Sequence, residues 1–258
     1  MTNFEIIDFH THPFVEKYER IGAYVNTVDM CTQDFFDEME KAGVALACGS
    51  VIGGKVNDFE DIHRLNLHAL DLREKYPGKY IPGFHVHPGY VKESINEIEF
   101  AVKNNIKMIG ELVPYHHGWE DYSQDAFLEI IDAVNGTGML VNLHINNAEE
   151  LCQAEKAVRL YKNITFVLAH PGYGERFQKH LEMLAKYENV YMDLSGSGIE
   201  TYGAIKKIID TVGYEHLLFG TDFPVTAFGT YISAVLSERI SDTAKEHILS
   251  LNAKQILG

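Results

Sequence analysis

Cysteine is scarce in this chain. Three residues, Cys31, Cys48 and Cys152, lie far apart, are odd in number and include no Cys-x-x-Cys pair, so no disulfide framework can be drawn from them. They read as separate thiols in a reducing cytoplasm. Positive charge is short as well: 22 Lys and Arg against 37 Asp and Glu give a formal net charge of −15. That balance argues against the basic footprint of a nucleic-acid binder and the polybasic patch of a membrane-surface protein. No apolar run approaches the length of a membrane span, and the opening MTNFEIID lacks the basic and apolar blocks of a secretory leader. No Gly-x-Gly-x-x-Gly follows the first apolar run, which weighs against a doubly wound dinucleotide-binding sheet, the runner-up fold. No Pro- or Ser-rich linker and no low-complexity tract interrupts the 258 residues, so one domain over 1–258 is the expectation.

What is present is apolar and periodic. Hydrophobic residues make up 46% of the chain, with 14 Phe and 14 Tyr, enough for a large core. Short, nearly continuous apolar runs recur near 4–9, 44–51, 80–86, 106–113, 138–145, 164–169, 189–194 and 216–221. Such runs suit parallel strands covered on both faces. Amphipathic segments lie between them. TQDFFDEMEKAG places Phe35, Phe36 and Met39 on one face, and NNAEELCQAEKAVRLYKN opens with Asn147 as N-cap and Glu150 three residues on. Eight strand–helix units in a chain of this length predict a single (β/α)8 TIM barrel.

In such a barrel, functional side chains sit at the carboxyl ends of the strands. Strand one ends DFHTH, with His10 and His12 spaced to face one side. Strand four reads IGELV with Glu111, strand five ends LVNLH with His144, strand six FVLAH with His170, and strand eight LFGTD with Asp222. One histidine beside apolar residues is ordinarily a packed residue, and one Asp after a strand a turn former. Six at one mouth are different: four imidazoles and two carboxylates are costly to bury together without a cation, and with one they form a ligand set. Zinc accepts this mixture, as do manganese and iron, so one or two divalent ions are expected. Other candidates read more plainly. His85 and His87 in FHVHPG repeat the spacing after strand three, SGSG at 195–198 reads as a flexible strand-to-helix turn, and Arg176 reads as a solvated helix residue rather than a carboxylate clamp.

The ordered set of His-x-His, Glu, His, His and Asp resembles the amidohydrolase superfamily of metal-dependent barrels. The resemblance is nearest to the amidohydrolase-related group that includes hydrolases and the aminocarboxymuconate semialdehyde and γ-resorcylate decarboxylases. DFHTHP, LAHPG, FGTDFP and the terminal ILSLNAKQILG carry it over almost the whole chain. Many members have a strand-four lysine whose carbamate bridges two metals; Glu111 stands there instead, similar to the glutamate of TatD-type hydrolases. A glutamate can bridge two ions without modification, so the resemblance leaves a binuclear site open, and a strand-end carboxylate ion-paired elsewhere is the alternative. The resemblance implies Asp222 as catalytic base, in a hydrolase that activates water to cleave an amide, lactone or ester bond of a small molecule. A non-oxidative decarboxylase built on the same residues is the second reading, and a non-catalytic metal-binding or regulatory barrel the third. Tyr115, His116 and Trp119, in the loop after strand four, are the expected substrate contacts. A soluble cytoplasmic protein is expected, without nucleic-acid or membrane partner, its barrels pairing into a homo-oligomer.

Overall fold

The computed structural model describes residues 3–22, 28–54 and 56–258. The first strand, β1, is Ile7–Thr11; β2 is Leu46–Ser50, β3 Tyr80–Phe84, β4 Met108–Leu112, β5 Leu140–Leu143, β6 Phe166–Leu168, β7 Val190–Asp193 and β8 Leu217–Leu218. All pair in parallel in sequence order. The two ends of the sheet also meet. Phe9 N donates to Phe219 O at 2.8 Å, Asp222 N to His10 O at 2.8 Å and His12 N to Phe223 O at 2.7 Å. The fold is therefore the expected (β/α)8 barrel, with its seam between β8 and β1.

A buried carboxylate clasps that seam. Asp8 Oδ1 accepts from His10 N at 3.1 Å and Thr221 N at 3.0 Å, and Oδ2 from Thr221 Oγ1 at 2.6 Å. Burial pushes the Asp8 carboxyl up to about 7 against those hydrogen bonds.

Helices alternate with the strands: α1 Thr32–Lys41, α2 Phe59–Lys75, α3 Val91–Lys103, a one-turn α4 Pro114–His117, α5 Asp125–Val134, α6 Ala148–Leu160, α7 Gly174–Lys186 and α8 Ala204–Val212. After β8 come α9 Phe228–Ser237, α10 Asp242–Glu246, a π-helical turn His247–Leu251 and the terminal α11 Asn252–Leu257. Phe35, Phe36 and Met39 of α1 are buried, and Asn147 Oδ1 caps α6 by accepting from Glu150 N at 3.0 Å. The lower barrel interior is apolar: Phe9, Cys48, Met108, Leu140, Val167 and Leu218 pack with Ala253 and Leu257 of α11. That plug leaves the opposite, carboxyl end as the polar one. No helix among the described residues is long and apolar enough to cross a membrane.

The strands are shorter than the apolar runs, most of all β8. His170 and Asp222 take φ of 65° and 66°, a left-handed backbone that breaks the ladder and turns each side chain over the barrel mouth. Non-glycine residues held there cost about 1–3 kcal/mol and cluster at functional sites.

Away from the seam, α7 buries a neutral histidine. His180 is fully enclosed, donates from Nδ1 to Arg176 O at 3.1 Å and has no partner for Nε2. Burial lowers its pKa from 6.5 to about 3. The unfolded chain gains this proton as pH falls through 6.5 and the folded chain does not, so stability is lost between pH 6.5 and 3. At pH 5 the loss is about 2 kcal/mol. His180→Leu should remove that part of the acid slope, seen in urea unfolding at pH 7 and pH 5; an unchanged difference between the two would show that another group carries it.

Candidate metal centre

The six strand-end residues meet at the carboxyl mouth. His10 Nε2 and His12 Nε2 lie 3.2 Å apart, and each is 3.4 Å from Glu111 Oε2. Asp222 Oδ1 is 3.2 Å from His12 Nε2 and 3.8 Å from His10 Nε2. On the other side, Glu111 Oε1 is 2.8 Å from His144 Nδ1 and 3.1 Å from His170 Nε2. Glu111 thus gives one oxygen to each pair of imidazoles. His10, His12 and Glu111 form one compact donor group, and Glu111, His144 and His170 a second.

The surrounding hydrogen bonds decide which ring nitrogens carry protons. His12 Nδ1 faces the Ser50 carbonyl at 3.0 Å, an acceptor only, so Nδ1 carries the hydrogen and Nε2 is a bare lone pair. His10 Nδ1 donates to Asp193 Oδ2 at 2.9 Å, which leaves its Nε2 bare as well. Ser195 Oγ gives its hydrogen to Asp193 Oδ1 and so accepts from His170 Nδ1 at 3.0 Å. His144 Nε2 donates to Asn146 Oδ1 at 3.0 Å. With the rings neutral, four lone pairs and two carboxylates therefore converge with no hydrogen among them. That arrangement repels itself without a cation and is a ready-made ligand set with one, so the residues fit divalent metal.

The titration behaviour carries the same message. Burial alone would hold these imidazoles neutral. For His10 the carboxylates of Asp193 and Glu111 outweigh burial and raise its pKa well above the ordinary value; for His12, Asp222 and Glu111 raise it to about 9. Burial would keep Glu111 protonated, but His10 and His144 pull its pKa well below the usual carboxylate range. Protons are drawn to where positive charge is wanted.

Above the donors lies a cavity of about 420 Å³, lined by Tyr18, Arg20, Ile52, Val113, Tyr115, His116 and Val225 together with His12, Glu111, His144, His170 and Asp222. Tyr115 and His116 both line it, and burial holds His116 below the ordinary histidine range. Trp119 requires a correction. It does not line this cavity but packs behind it against Tyr122 and Phe127, with ring centroids 5.3 and 5.5 Å away. The reason is the single turn of α4, which ends at Gly118 with φ 82° and redirects the chain inward. His85 and His87 stay outside the centre: His85 Nε2 lies 2.9 Å from Val51 O, and His87 accepts from Gly89 N and faces His117 O. Arg176 is not a solvated helix residue; it is half-buried and bonded to loop carbonyls. Asp193 went unnoticed in the sequence, although it obeys the same rule as its neighbours, being the strongly polar residue that ends the apolar run of β7.

Four imidazoles and two carboxylates at the rim of eight parallel βα units define a metal-site barrel. The family model described as amidohydrolase matches residues 7–258, and the chain belongs to that family. Several solved structures share the fold. A 2,6-dihydroxybenzoate decarboxylase from Rhizobium superposes with a TM-score of 0.79 at 12% identity, over 98% of each chain. A dihydroxybenzoic acid decarboxylase from Polaromonas sp. JS666, with bound manganese and 2-nitroresorcinol, gives 0.74 at 14% identity over 98% of this chain and 97% of that one. A probable 2-pyrone-4,6-dicarboxylic acid hydrolase from Acinetobacter baumannii, with citric acid bound, gives 0.72 at 18% identity over 98% and 99%. A sequence comparison with curated proteins finds no significant match. The protein is an enzyme of the amidohydrolase superfamily, and family and donor cluster together support metal dependence.

Asp193 supplies the test of the centre's outer support. Its Ala variant frees the His10 ring and the Ser195 hydroxyl while leaving the six strand-end donors in place, and should weaken metal binding about 10–100-fold. Competition with a chromophoric chelator reads the change; unaltered affinity in a folded variant would remove Asp193 from the support of the site.

Proposed function

We propose that this enzyme is a metal-dependent hydrolase that cleaves an amide, lactone or ester bond in a small molecule, using two divalent ions. The observation that carries this reading is the division of Glu111, with Oε2 toward His10 and His12 and Oε1 toward His144 and His170. A bridging carboxylate suits two ions, and a two-ion site suits attack by water. His10, His12 and Asp222 would hold one ion, His144 and His170 the other, with Glu111 shared. Zinc suits the histidine-rich set and manganese suits it as well; a relative of the same fold holds manganese.

Bound ions would supply Lewis acidity, polarising a substrate oxygen and lowering the pKa of water toward neutrality. The protein's own residues do the rest. Asp222 is the more exposed of the two carboxylates lining the cavity, its side chain 14% exposed against 2% for Glu111. It accepts the proton of the attacking water and returns it to the leaving group. Ile52, Val113 and Val225 give the cavity apolar lining, while Tyr115 and His116 present polar edges to the substrate.

Decarboxylation is the second reading, favoured by the two decarboxylases among the fold relatives above. The two differ in where oxygen goes. Protein purified without chelator and incubated in water-18 with dihydrocoumarin and with 4-nitrophenyl acetate should place one labelled oxygen in each acid product. Asp222→Asn should lower kcat by about 10²–10⁴ with the metal retained. Carbon dioxide released from 2,6-dihydroxybenzoate, with no label incorporated from any ester or lactone, would establish the decarboxylase instead.

A further inference from the structure

The turn at 195–198, Ser-Gly-Ser-Gly, is left unexplained by the donor set itself. It is no loose connector. Ser195 is fully buried and sits between two strands' worth of chemistry: its hydroxyl hydrogen goes to Asp193 Oδ1, and its oxygen takes the Nδ1 hydrogen of His170 at 3.0 Å. Gly196 lies flat against the same ring, and a Cβ there would come within 2.3 Å of His170 Nδ1. One residue further on, Ser197 Oγ accepts from Arg176 Nη2 at 2.7 Å. The other arm of that guanidinium, Nη1, donates to Ile145 O and Asn146 O, both at 2.9 Å. Asn146 in turn accepts from His144 Nε2 at 3.0 Å. Two serines of one turn therefore reach two different imidazoles, one directly and one through Arg176 and Asn146.

We propose that the Ser195–Gly198 turn is a positioning device for the second of the two ions, with Ser195 fixing the tautomer and seat of His170, and Ser197 with Arg176 fixing the loop that orients His144. The inference rests on the two-ion reading above. Its selectivity follows from the bonds. Without the Ser195 hydroxyl, Asp193 Oδ1 still accepts from Ser195 N at 3.1 Å and Oδ2 still holds His10 at 2.9 Å, so the first position keeps its support. His170 loses the acceptor that placed its proton on Nδ1, and its Nε2 is no longer reserved as a lone pair. Arg176 bonds to Ile145 and Asn146 on the His144 side and to Ser197 of the turn.

The experiment is a titration of metal-stripped protein with Mn²⁺, followed by calorimetry and by electron paramagnetic resonance. Wild type should take two ions per chain and show the exchange-coupled spectrum of a bridged pair. Ser195→Ala should bind the first ion as wild type does and the second about 10–100-fold more weakly. At one equivalent above saturation of the first site it should show the six-line spectrum of isolated Mn²⁺. Ser195→Thr, which keeps the hydroxyl, should restore the coupled pair. Arg176→Met should reproduce the selective loss from the His144 side, and so tests the same inference should the Ser195 variant fold poorly. Equal weakening of both ions, or a coupled pair unchanged in both Ser195→Ala and Arg176→Met, would overturn the positioning role while leaving two-ion chemistry intact. A single ion in wild type would overturn the two-ion reading and this inference with it.

Discussion

Four imidazole lone pairs and two carboxylates pointed at one small volume repel one another, and the architecture around the barrel mouth is organised to hold that repulsion in place. Each ring is anchored from behind: His12 by the Ser50 carbonyl, His10 by Asp193, His170 by Ser195 and His144 by Asn146. None of these anchors is exchangeable for an arbitrary polar group, because each must accept a hydrogen for the opposite nitrogen to be bare. The anchors come from β2, β7 and the turns after β5 and β7, whereas the rings come from β1, β5 and β6. The centre is consequently a property of the closed barrel and of no local segment.

Holding donors this close also sets local backbone requirements. His170 and Asp222 turn over the mouth only by entering left-handed conformations, which oppose stability at those two positions. Gly220 stands where a Cβ would come within 2.8 Å of the Cβ of His10, so bare backbone is needed for the chain after β8 to pass His10. The apolar layer beneath, from Phe9 and Met108 to Leu257 on the terminal helix, supplies burial that offsets these terms. Stability is concentrated at the amino end of the barrel and strain at the carboxyl end, the division expected where one face packs and the other reacts.

Much of this was legible in the sequence, for a specific reason. The strands are buried on both faces, so their apolar runs are nearly unbroken and the first strongly polar residue after each run marks the mouth. That rule brings together His10, His12, Glu111, His144, His170 and Asp222, and applied once more it would have reached Asp193. It does not extend to FHVHPG. The spacing of His85 and His87 matches that of His10 and His12, but β3 ends at Phe84, whereas the chain after β1 stays extended because Thr11 and His12 pair with Phe223. What each ring meets depends on neighbouring strands and loops, Val51 for His85 and His117 for His87, which spacing does not encode. Trp119 fails for a similar reason: one turn of helix closed by a left-handed residue reverses which side chains look into the cavity. Ser195 was out of reach altogether, since its meaning lies in a ring contributed by a strand 25 residues earlier.

The two halves of the centre stand differently in the fold. His144 and His170 hang from adjacent strands, β5 and β6, inside an already continuous run of sheet. His10, His12 and Asp222 flank the seam, where the first and last strands of the barrel meet and where Asp222 N bonds to His10 O. An ion held by those three side chains would tie the two ends of the sheet together, in the same place that Asp8 clasps them through Thr221. Binding at the seam is therefore inseparable from closing the barrel, because the donors from β1 and β8 are adjacent only once the sheet has closed. Binding at the β5–β6 pair would ask only that two imidazoles be correctly turned, the role proposed for the Ser195–Gly198 turn. Glu111, from the strand between these regions in sequence, is the single side chain that belongs to both, and through it the folding of the barrel and the assembly of the reactive site become one event.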